Sequence, residues 1–187
     1  MATEHRTTGL TYEDLHRFPD DDLRREIIDG ELFVTPSPER RHQEVVVELL
    51  GRIWLQVKEH GGKVYPAPLD VYLSEDTVVE PDVLFVNSEH LDRAEERYIR
   101  GAPDLVVEVS SPSTRRTDLT RKLEVYQRHG VPEYWFVDLD EHRILVHRLE
   151  GGRYAAPEVV ERGGTLTSPL LPGLTIPVEE ILGRPTA

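Results

Sequence analysis

The chain has 187 residues, of which 38% are hydrophobic and 30% charged, and its formal net charge is −13. This composition is typical of a globular protein with a sizeable core, so we predict a single domain over residues 1–187. The acidic balance excludes a protein that coats nucleic acid through a broad basic surface, but a local basic site is compatible with it.

We expect neither a membrane span nor a secretion signal. No run approaches the roughly 18 apolar residues of a membrane span, and MATEHRTTGL lacks the apolar stretch of a signal peptide. Cysteine is absent, which excludes disulfides, thiolate metal sites and a cysteine nucleophile. We therefore expect a cytoplasmic protein without membrane contact.

The N-terminal part of the chain predicts two helices and a hairpin. LTYEDLHRFP forms a short helix capped by Thr11, and Asp29-Gly30 is the turn between two apolar runs. RRHQEVVVELLGRIWLQVKEHGG has apolar residues at spacings of three and four, which predicts an amphipathic helix that ends at Gly61-Gly62.

Strand-like runs fill the middle of the chain and lead into a second long helix. We predict strands in KVYPAPLDVYLSED, VVEPDVLFV and PDLVVEVSS. The prolines inside the first run favour an edge strand or a bend, and the third run is apolar enough to be buried on both faces. TRRTDLTRKLEVYQRHG then forms a helix that ends at Gly130.

The C-terminal part predicts further strands in VPEYWFVDLD and RILVHRLEGGRYAAPEVV, and a short terminal helix that packs through Ile181 and Leu182. A buried strand that leads directly into a helix favours a mixed α/β (α+β) fold, with a central sheet flanked by helices. The N-terminal hairpin and the C-terminal strands are extra elements around that core.

Two acids and one lysine form a pattern that suits metal-assisted phosphodiester hydrolysis. Asp82 heads the apolar run DVLFV, Glu108 lies inside LVVEV, and Lys122 follows on the next helix. Carboxylate oxygens are the ligands that hard divalent cations prefer, and such a cation activates water and polarises a phosphoryl oxygen. We therefore expect Asp82 and Glu108 to hold Mg²⁺ or Mn²⁺. Lys122 would orient the attacking water or neutralise charge on the phosphate.

The residues after Glu108 extend this hypothesis. The backbone carbonyl of Val109 is a candidate third metal ligand, and Ser110 shares the side of Glu108 because strand side chains alternate. Structural alternatives stay open for the three principal residues. Asp82 would then face water at a strand end, Glu108 would pair with an arginine, and Lys122 would pair with Asp118 on the helix surface.

Other hydrolytic chemistries lack their motifs. No GxxxxGK[ST] phosphate loop and no GxSxG nucleophile elbow occurs, and the eight histidines show no HExxH spacing. These absences disfavour a P-loop nucleotide site, a serine hydrolase and a zinc hydrolase.

Six segments of the chain resemble the Uma-two family: IIDGEL, RHQ, PAPLDV, EPDVLFV, GAPDLVVEVSSPSTRRTDLTRKLEVYQRHGVPEYWFVD and LTSPLLPGL. The resemblance runs from about Tyr12 to Leu182. It implies a restriction-endonuclease-like PD-(D/E)xK fold, with a mixed sheet between helices, and Mg²⁺-dependent cleavage of DNA. It also implies that Asp82 and Glu108 are the family's acids. The motif lysine would have moved to Lys122, because Ser110 occupies its usual position.

The resemblance adds two auxiliary residues and two further expectations. His42 in RHQ and Glu26 before the hairpin turn match family positions, although a histidine there is also typical of an exposed or capping residue. Enzymes of this fold that cut both DNA strands usually act as dimers, which implies a homodimer or a higher homo-oligomer. Since the motif lysine is displaced, an inactive nuclease-fold protein that binds nucleic acid or another protein is the alternative function.

Overall fold

The structure is a computed structural model that describes residues 8–19, 21 and 23–183. Its helices are α1 (Tyr12–Leu15), α2 (Arg40–His60), α3 (Arg115–Thr117), α4 (Leu123–Arg128) and α5 (Val178–Leu182). A π-helical turn at Asp118–Lys122 joins α3 and α4 into one continuous helix, the 115–128 helix, and a 3-10 helix spans Ser88–Arg93. None of the helices in the described ranges is long and apolar enough to cross a membrane.

The strands form two larger sheets and one hairpin. They are β1 (Arg24–Ile28), β2 (Glu31–Thr35), β3 (Lys63–Pro66), β4 (Asp70–Ser74), β5 (Thr77–Val79), β6 (Val83–Val86), β7 (Tyr98–Arg100), β8 (Leu105–Val109), β9 (Glu133–Asp138), β10 (Arg143–Glu150), β11 (Arg153–Tyr154), β12 (Glu158–Glu161), β13 (Thr165–Thr167) and β14 (Thr175–Pro177). The N-terminal sheet has the order β2-β1-β5-β4-β7, and the central sheet has the order β11-β10-β9-β8-β6-β3 with β12 on β10. Because β8 and β9 are parallel while β6 and β8 are antiparallel, the central sheet is mixed, as predicted.

Local sequence signals explain several of these elements. The Thr11 N–H donates to Asp14 Oδ2 at the start of α1, which confirms the predicted cap. Asp29 and Gly30 have φ angles of 52° and 76°, so the hairpin between β1 and β2 uses the left-handed turn that this pair tolerates. Helix α2 buries most of the predicted apolar stripe against the central sheet, but Trp54, which belongs to the predicted stripe, is exposed.

The two faces of the central sheet are covered by different partners. Val107 and Val109 of β8 face the cluster that contains α2 and α5. Val106, on the opposite face, packs in the cluster that contains the 115–128 helix and residues of the N-terminal sheet. Since side chains alternate along a strand, Glu108 points toward the 115–128 helix. Helices therefore flank both faces of the sheet, as predicted.

Two predicted strands are each divided between the sheets. KVYPAPLDVYLSED forms β3 in the central sheet and β4 in the N-terminal sheet, and VVEPDVLFV forms β5 in the N-terminal sheet and β6 in the central one. The chain changes sheet at two proline-containing corners, which hydrogen-bond to each other through Ala67 N–H and the Asp82 carbonyl, 3.1 Å apart. Proline interrupts a strand because it cannot donate to the ladder. This corner places Asp82 between the two sheets.

Candidate active site

A cavity of about 640 Å³ opens where the N-terminal sheet, the central sheet and the start of α2 meet. Its walls come from β1, the first turn of α2, the corner before β6, the end of β8, the loop at 111–114 and Lys122. The predicted site residues Asp82, Glu108, Lys122, His42, Glu26 and Val109 all line it. The fold thus gathers into one cavity residues that are spread over nearly one hundred positions of the chain.

Glu108 is held at the floor of this cavity by the 115–128 helix. Its Oε1 accepts a hydrogen bond from Lys122 Nζ at 2.9 Å and another from the Tyr126 hydroxyl at 2.5 Å. Burial raises the pKa of Glu108 to about 8, with Lys122 opposing that rise and neighbouring acids such as Asp118 adding to it. The carboxyl is therefore available as an oxygen ligand, at the cost of losing a proton near neutral pH.

Lys122 is a buried cation, with only 2% of its surface exposed. Its Nζ lies 2.8 Å from Glu26 Oε1 and 2.9 Å from Glu108 Oε1. Burial by itself would lower the pKa of Lys122, but Glu108, Glu26 and Asp118 reverse the effect and hold that pKa above its usual value. The side chain is therefore an ammonium at neutral pH. Lys122 does pair with Asp118, with Nζ and Oδ1 3.8 Å apart, but both residues are buried, so the alternative of a pair on the helix surface is wrong.

Asp82 is buried and accepts hydrogen bonds from separate parts of the fold. Its Oδ1 accepts from Arg24 Nη1 at 2.7 Å, and its Oδ2 accepts from the Val109 N–H at 2.8 Å and lies 3.1 Å from His42 Nε2. Burial would raise the pKa of Asp82, but His42, Arg24 and the Val109 N–H together hold it well below its usual range. Asp82 is thus a carboxylate, and the alternative of a strand-end residue that faces water is wrong.

His42 lies in the first turn of α2 and is buried, so it is neither an exposed residue nor a helix cap. Its contact with Asp82 gives it a positioning role next to the predicted ligand.

Ser110 is placed differently. It follows β8, and its Oγ accepts the Leu139 N–H at 2.9 Å, so its hydroxyl serves the loop after β9 and Ser110 does not line the cavity.

Arg24 is the most important site residue that the sequence interpretation missed. Its Nη1 lies 2.7 Å from Asp82 Oδ1, its Nη2 lies 3.9 Å from Glu108 Oε2, and its Nε lies 3.6 Å from Glu80 Oε2. The guanidinium therefore lies between the two predicted metal ligands. Arginine pairing of Glu108, which the sequence left open, is realised in this arrangement, together with the Lys122 contact.

Tyr126 and Glu80 were also missed as site residues. Tyr126 follows Asp118 and Lys122 at spacings of four, and this spacing was the available signal for a shared helical face. Glu80 lies at the corner before Asp82, and burial raises its pKa to about 7, with Arg24 opposing the rise and Asp70 and Glu26 adding to it. Its Oε2 is buried and receives no hydrogen bond from the described residues.

The donor chemistry of the cavity fits a divalent cation, although basic side chains lie between the acids. Among residues 8–19, 21 and 23–183, no three His, Asp or Glu side chains converge closely enough to hold a metal ion. Arg24 and Lys122 separate the carboxylates of Glu26, Asp82 and Glu108. These three acids and Glu80 nevertheless outnumber the two permanently charged cations, and carboxylate oxygens are what Mg²⁺ and Mn²⁺ prefer.

The fold has a known counterpart. The crystal structure of a putative nuclease belonging to DUF820 from Anabaena variabilis matches this chain with a TM-score of 0.78, over 92% of this chain and 97% of that chain, at 22% sequence identity. This likeness confirms the predicted restriction-endonuclease-like fold. Among curated proteins, none matches the chain significantly.

A family model matches residues 12–179, which is most of the chain, and its description reads "Putative restriction endonuclease". The match includes every predicted site residue, from Glu26 to Lys122. The resemblance inferred from the six sequence segments is thereby confirmed. The chain belongs to the Uma2 family.

Proposed function

We propose that this protein hydrolyses phosphodiester bonds of DNA with the help of Mg²⁺ or Mn²⁺. Asp82 and Glu108 would hold the cation with their carboxylates, and the Val109 carbonyl would complete the set from the protein. A bound divalent cation supplies two things here, a lowered pKa for a water molecule and polarisation of a phosphoryl oxygen. The family description and the nuclease-like fold support this proposal.

The observation that carries the proposal is the position of the Lys122 ammonium. The restriction-endonuclease motif has its lysine two residues after the second acid, and that position is Ser110 in this chain. Lys122 comes from the following helix and returns to Glu108 at 2.9 Å, inside the same cavity as Asp82. The displaced lysine therefore reaches the acid that the motif lysine would serve.

Lys122 has a defined role in the proposed reaction. Because its pKa is held above the usual value, it does not accept a proton from water at neutral pH. It acts instead as a fixed positive charge that donates hydrogen bonds. Such a charge can orient the attacking water and stabilise the negative charge that develops on the phosphate oxygens. In the overall reaction one water adds across one P–O bond, which leaves a phosphate monoester and a free hydroxyl group.

Cleavage assays on the intact chain test the proposal. Supercoiled plasmid and a single-stranded oligonucleotide would be incubated with Mg²⁺, with Mn²⁺ or with EDTA. Wild type should cut one of the substrates only when the metal is present, and Glu108→Gln and Lys122→Met should each lose this activity. Glu133→Gln is a matched control, because Glu133 is also a buried acid but binds Trp135 Nε1 away from the cavity. Equal activity in all four proteins would rule the proposal out.

A second candidate function is a nuclease-fold module that binds nucleic acid or a protein without cleaving. The Arg24 contacts favour it, because an arginine already neutralises Asp82 and approaches Glu108 within 3.9 Å. Calorimetry with Mn²⁺ separates the two candidates. The enzyme should bind the metal through Glu108, whereas the binding module should bind a DNA duplex equally well in EDTA and show no heat with Mn²⁺.

Assembly and location are further parts of the proposal. Two cuts on opposite DNA strands require two active sites of opposite orientation, and a homodimer with a two-fold axis supplies them. Size-exclusion chromatography with light scattering measures the assembly directly, and a monomer that cuts both strands would argue against the dimer. The cytoplasmic location stays a prediction from the sequence.

A further inference from the structure

Arg24 differs from Lys122 in how it is held, although both cations contact the same acidic cluster. The side chain of Lys122 is 3% exposed, and two carboxylates hold its ammonium at 2.8 and 2.9 Å. The side chain of Arg24 is 20% exposed and makes one close contact, with Asp82 at 2.7 Å. Lys122 is therefore fixed in the protein interior, whereas Arg24 reaches the cluster from the open side of the cavity.

The position of Arg24 follows from strand alternation. Arg24 is the first residue of β1, and Glu26 lies two residues later on the same face. Both side chains line the cavity, while Arg25 points away and pairs with Asp21 at 2.7 Å. The Arg24 side chain thus crosses from the N-terminal sheet to the acids of the central sheet.

A divalent cation held by Asp82 and Glu108 would occupy the same space as the Arg24 guanidinium. Two like charges in a partly desolvated cavity repel strongly, because the effective dielectric constant there is far below that of water. We propose that Arg24 acts as an internal substitute for the cation: it neutralises Asp82 and Glu108 in the metal-free protein and is displaced when the cation binds. This inference rests on the proposed function, since it assigns the cation to these two acids.

The cavity offers Arg24 a second position after displacement. Glu80 Oε2 lies 3.6 Å from Arg24 Nε and receives no hydrogen bond from the described residues. The guanidinium can therefore withdraw from Asp82 toward Glu80 and keep an ionic partner, so neither Arg24 nor Glu80 is left unpaired in a buried site. The free volume of about 640 Å³ leaves room for this movement.

The test compares Mn²⁺ affinity by titration calorimetry in wild type, Arg24→Met, Arg25→Met and Glu108→Gln. Arg24→Met removes the competing guanidinium and should therefore bind Mn²⁺ about ten- to a hundredfold more tightly than wild type. This is the range expected when a charged hydrogen bond no longer has to be broken. Arg25→Met removes the neighbouring arginine outside the cavity and should bind Mn²⁺ like wild type. Arg24→Gln replaces Arg24→Met if the apolar variant does not fold.

A second measurement does not depend on the calorimetric signal. Without metal, Arg24→Met should melt at a lower temperature than wild type because Asp82 loses a partner, and Mn²⁺ should raise its melting temperature by more than that of wild type.

The outcomes separate this inference from the proposed function. Mn²⁺ binding that needs Glu108 but is unchanged or weaker in both Arg24 variants overturns the displacement and leaves the nuclease proposal standing. Absence of Mn²⁺ binding in every protein removes both. Binding by Arg24→Met when wild type binds none supports the displacement most strongly.

Discussion

Lys122 donates a buried hydrogen bond to Glu108 that links the 115–128 helix to the central sheet, with Nζ and Oε1 2.9 Å apart. The two residues are 14 positions apart in the chain, and Lys122 also contacts Glu26 of the N-terminal sheet. One ammonium therefore connects three structural units at the floor of the cavity. A group in this position affects stability and, in the proposed reaction, catalysis as well.

Removal of the ammonium should be costly for folding. Lys122→Met leaves Glu26 and Glu108 as buried acids without their cation, and such a loss typically costs about 3–5 kcal/mol. The double variant Lys122→Met/Glu108→Gln should be less destabilised than the sum of the single variants, because the two residues share one interaction. Urea unfolding measures all three, and strictly additive losses would show that the pair is not coupled.

The Tyr126 hydroxyl should contribute separately to the same acid. Tyr126→Phe removes the donor that lies 2.5 Å from Glu108 Oε1 and keeps the ring in the core. A hydrogen bond contributes about 0.5–1.5 kcal/mol when both partners are neutral and about 1.5–3 kcal/mol when one is charged, so unfolding should become easier by about 0.5–3 kcal/mol, with the larger loss above the pKa of Glu108. Tyr65→Phe is the control, because within the described residues the Tyr65 hydroxyl makes no hydrogen bond. Equal losses in both variants would contradict the assigned contact.

The metal-free protein should lose stability as the pH rises from about 5 to about 8. Burial, the first cause, raises the folded pKa of Glu108 from 4.5 to about 8, so the folded state binds more protons than the unfolded state in this interval. Glu80, with a pKa raised to about 7, acts in the same direction. Asp82 has a lowered folded pKa, so its contribution to stability depends on pH in the opposite direction. That contribution is complete above the unfolded pKa of about 3.9 and does not change between pH 5 and pH 8.

Urea unfolding at three pH values in EDTA checks this dependence. Glu108→Gln removes the main titrating group, so its stability should vary less between pH 5 and pH 8 than that of wild type. A wild-type stability that rises over this interval, with the same rise in Glu108→Gln, would contradict the dominant role assigned to Glu108.

Substitution of Lys122 should reduce cleavage but leave cation binding intact. Lys122→Met keeps the carboxyl groups of Asp82 and Glu108, so it should still bind Mn²⁺, but it lacks the positive charge that we propose stabilises the phosphate. Loss of one such stabilising group lowers turnover about 10²- to 10³-fold. Glu108→Gln should lose both properties. Calorimetry and plasmid cleavage on the same preparations measure them, and a Lys122→Met protein with wild-type turnover would remove this residue from the mechanism.

Much of the site could be predicted because its central part is local in sequence. Glu108 lies on a strand and Lys122 on the helix that follows it, so the reversal of chain direction between these two elements brings the residues together. The acid inside an apolar run and the helical spacing of Lys122 and Tyr126 are visible without any structure. Asp82 at the head of an apolar run is visible in the same way, and the resemblance then added His42 and Glu26; all three residues line the cavity.

The contacts of Arg24 could not be predicted in the same way. Arg24 and Asp82 are 58 positions apart, and they lie on a strand of the N-terminal sheet and at the corner between the two sheets, so no periodicity connects them. The division of VVEPDVLFV between those sheets was missed because Val78-Val79 and Val83-Leu84 together look like one apolar strand. Pro81 marks the corner, but a proline alone does not tell whether a strand bends within its sheet or leaves it.

Anomalous diffraction from a crystal grown in Mn²⁺ tests the central claim most directly. The account predicts one strong peak within coordination distance of Asp82 and Glu108, with the Arg24 guanidinium moved toward Glu80. A map without a peak at saturating Mn²⁺, in which Arg24 still bridges the two acids, would contradict it.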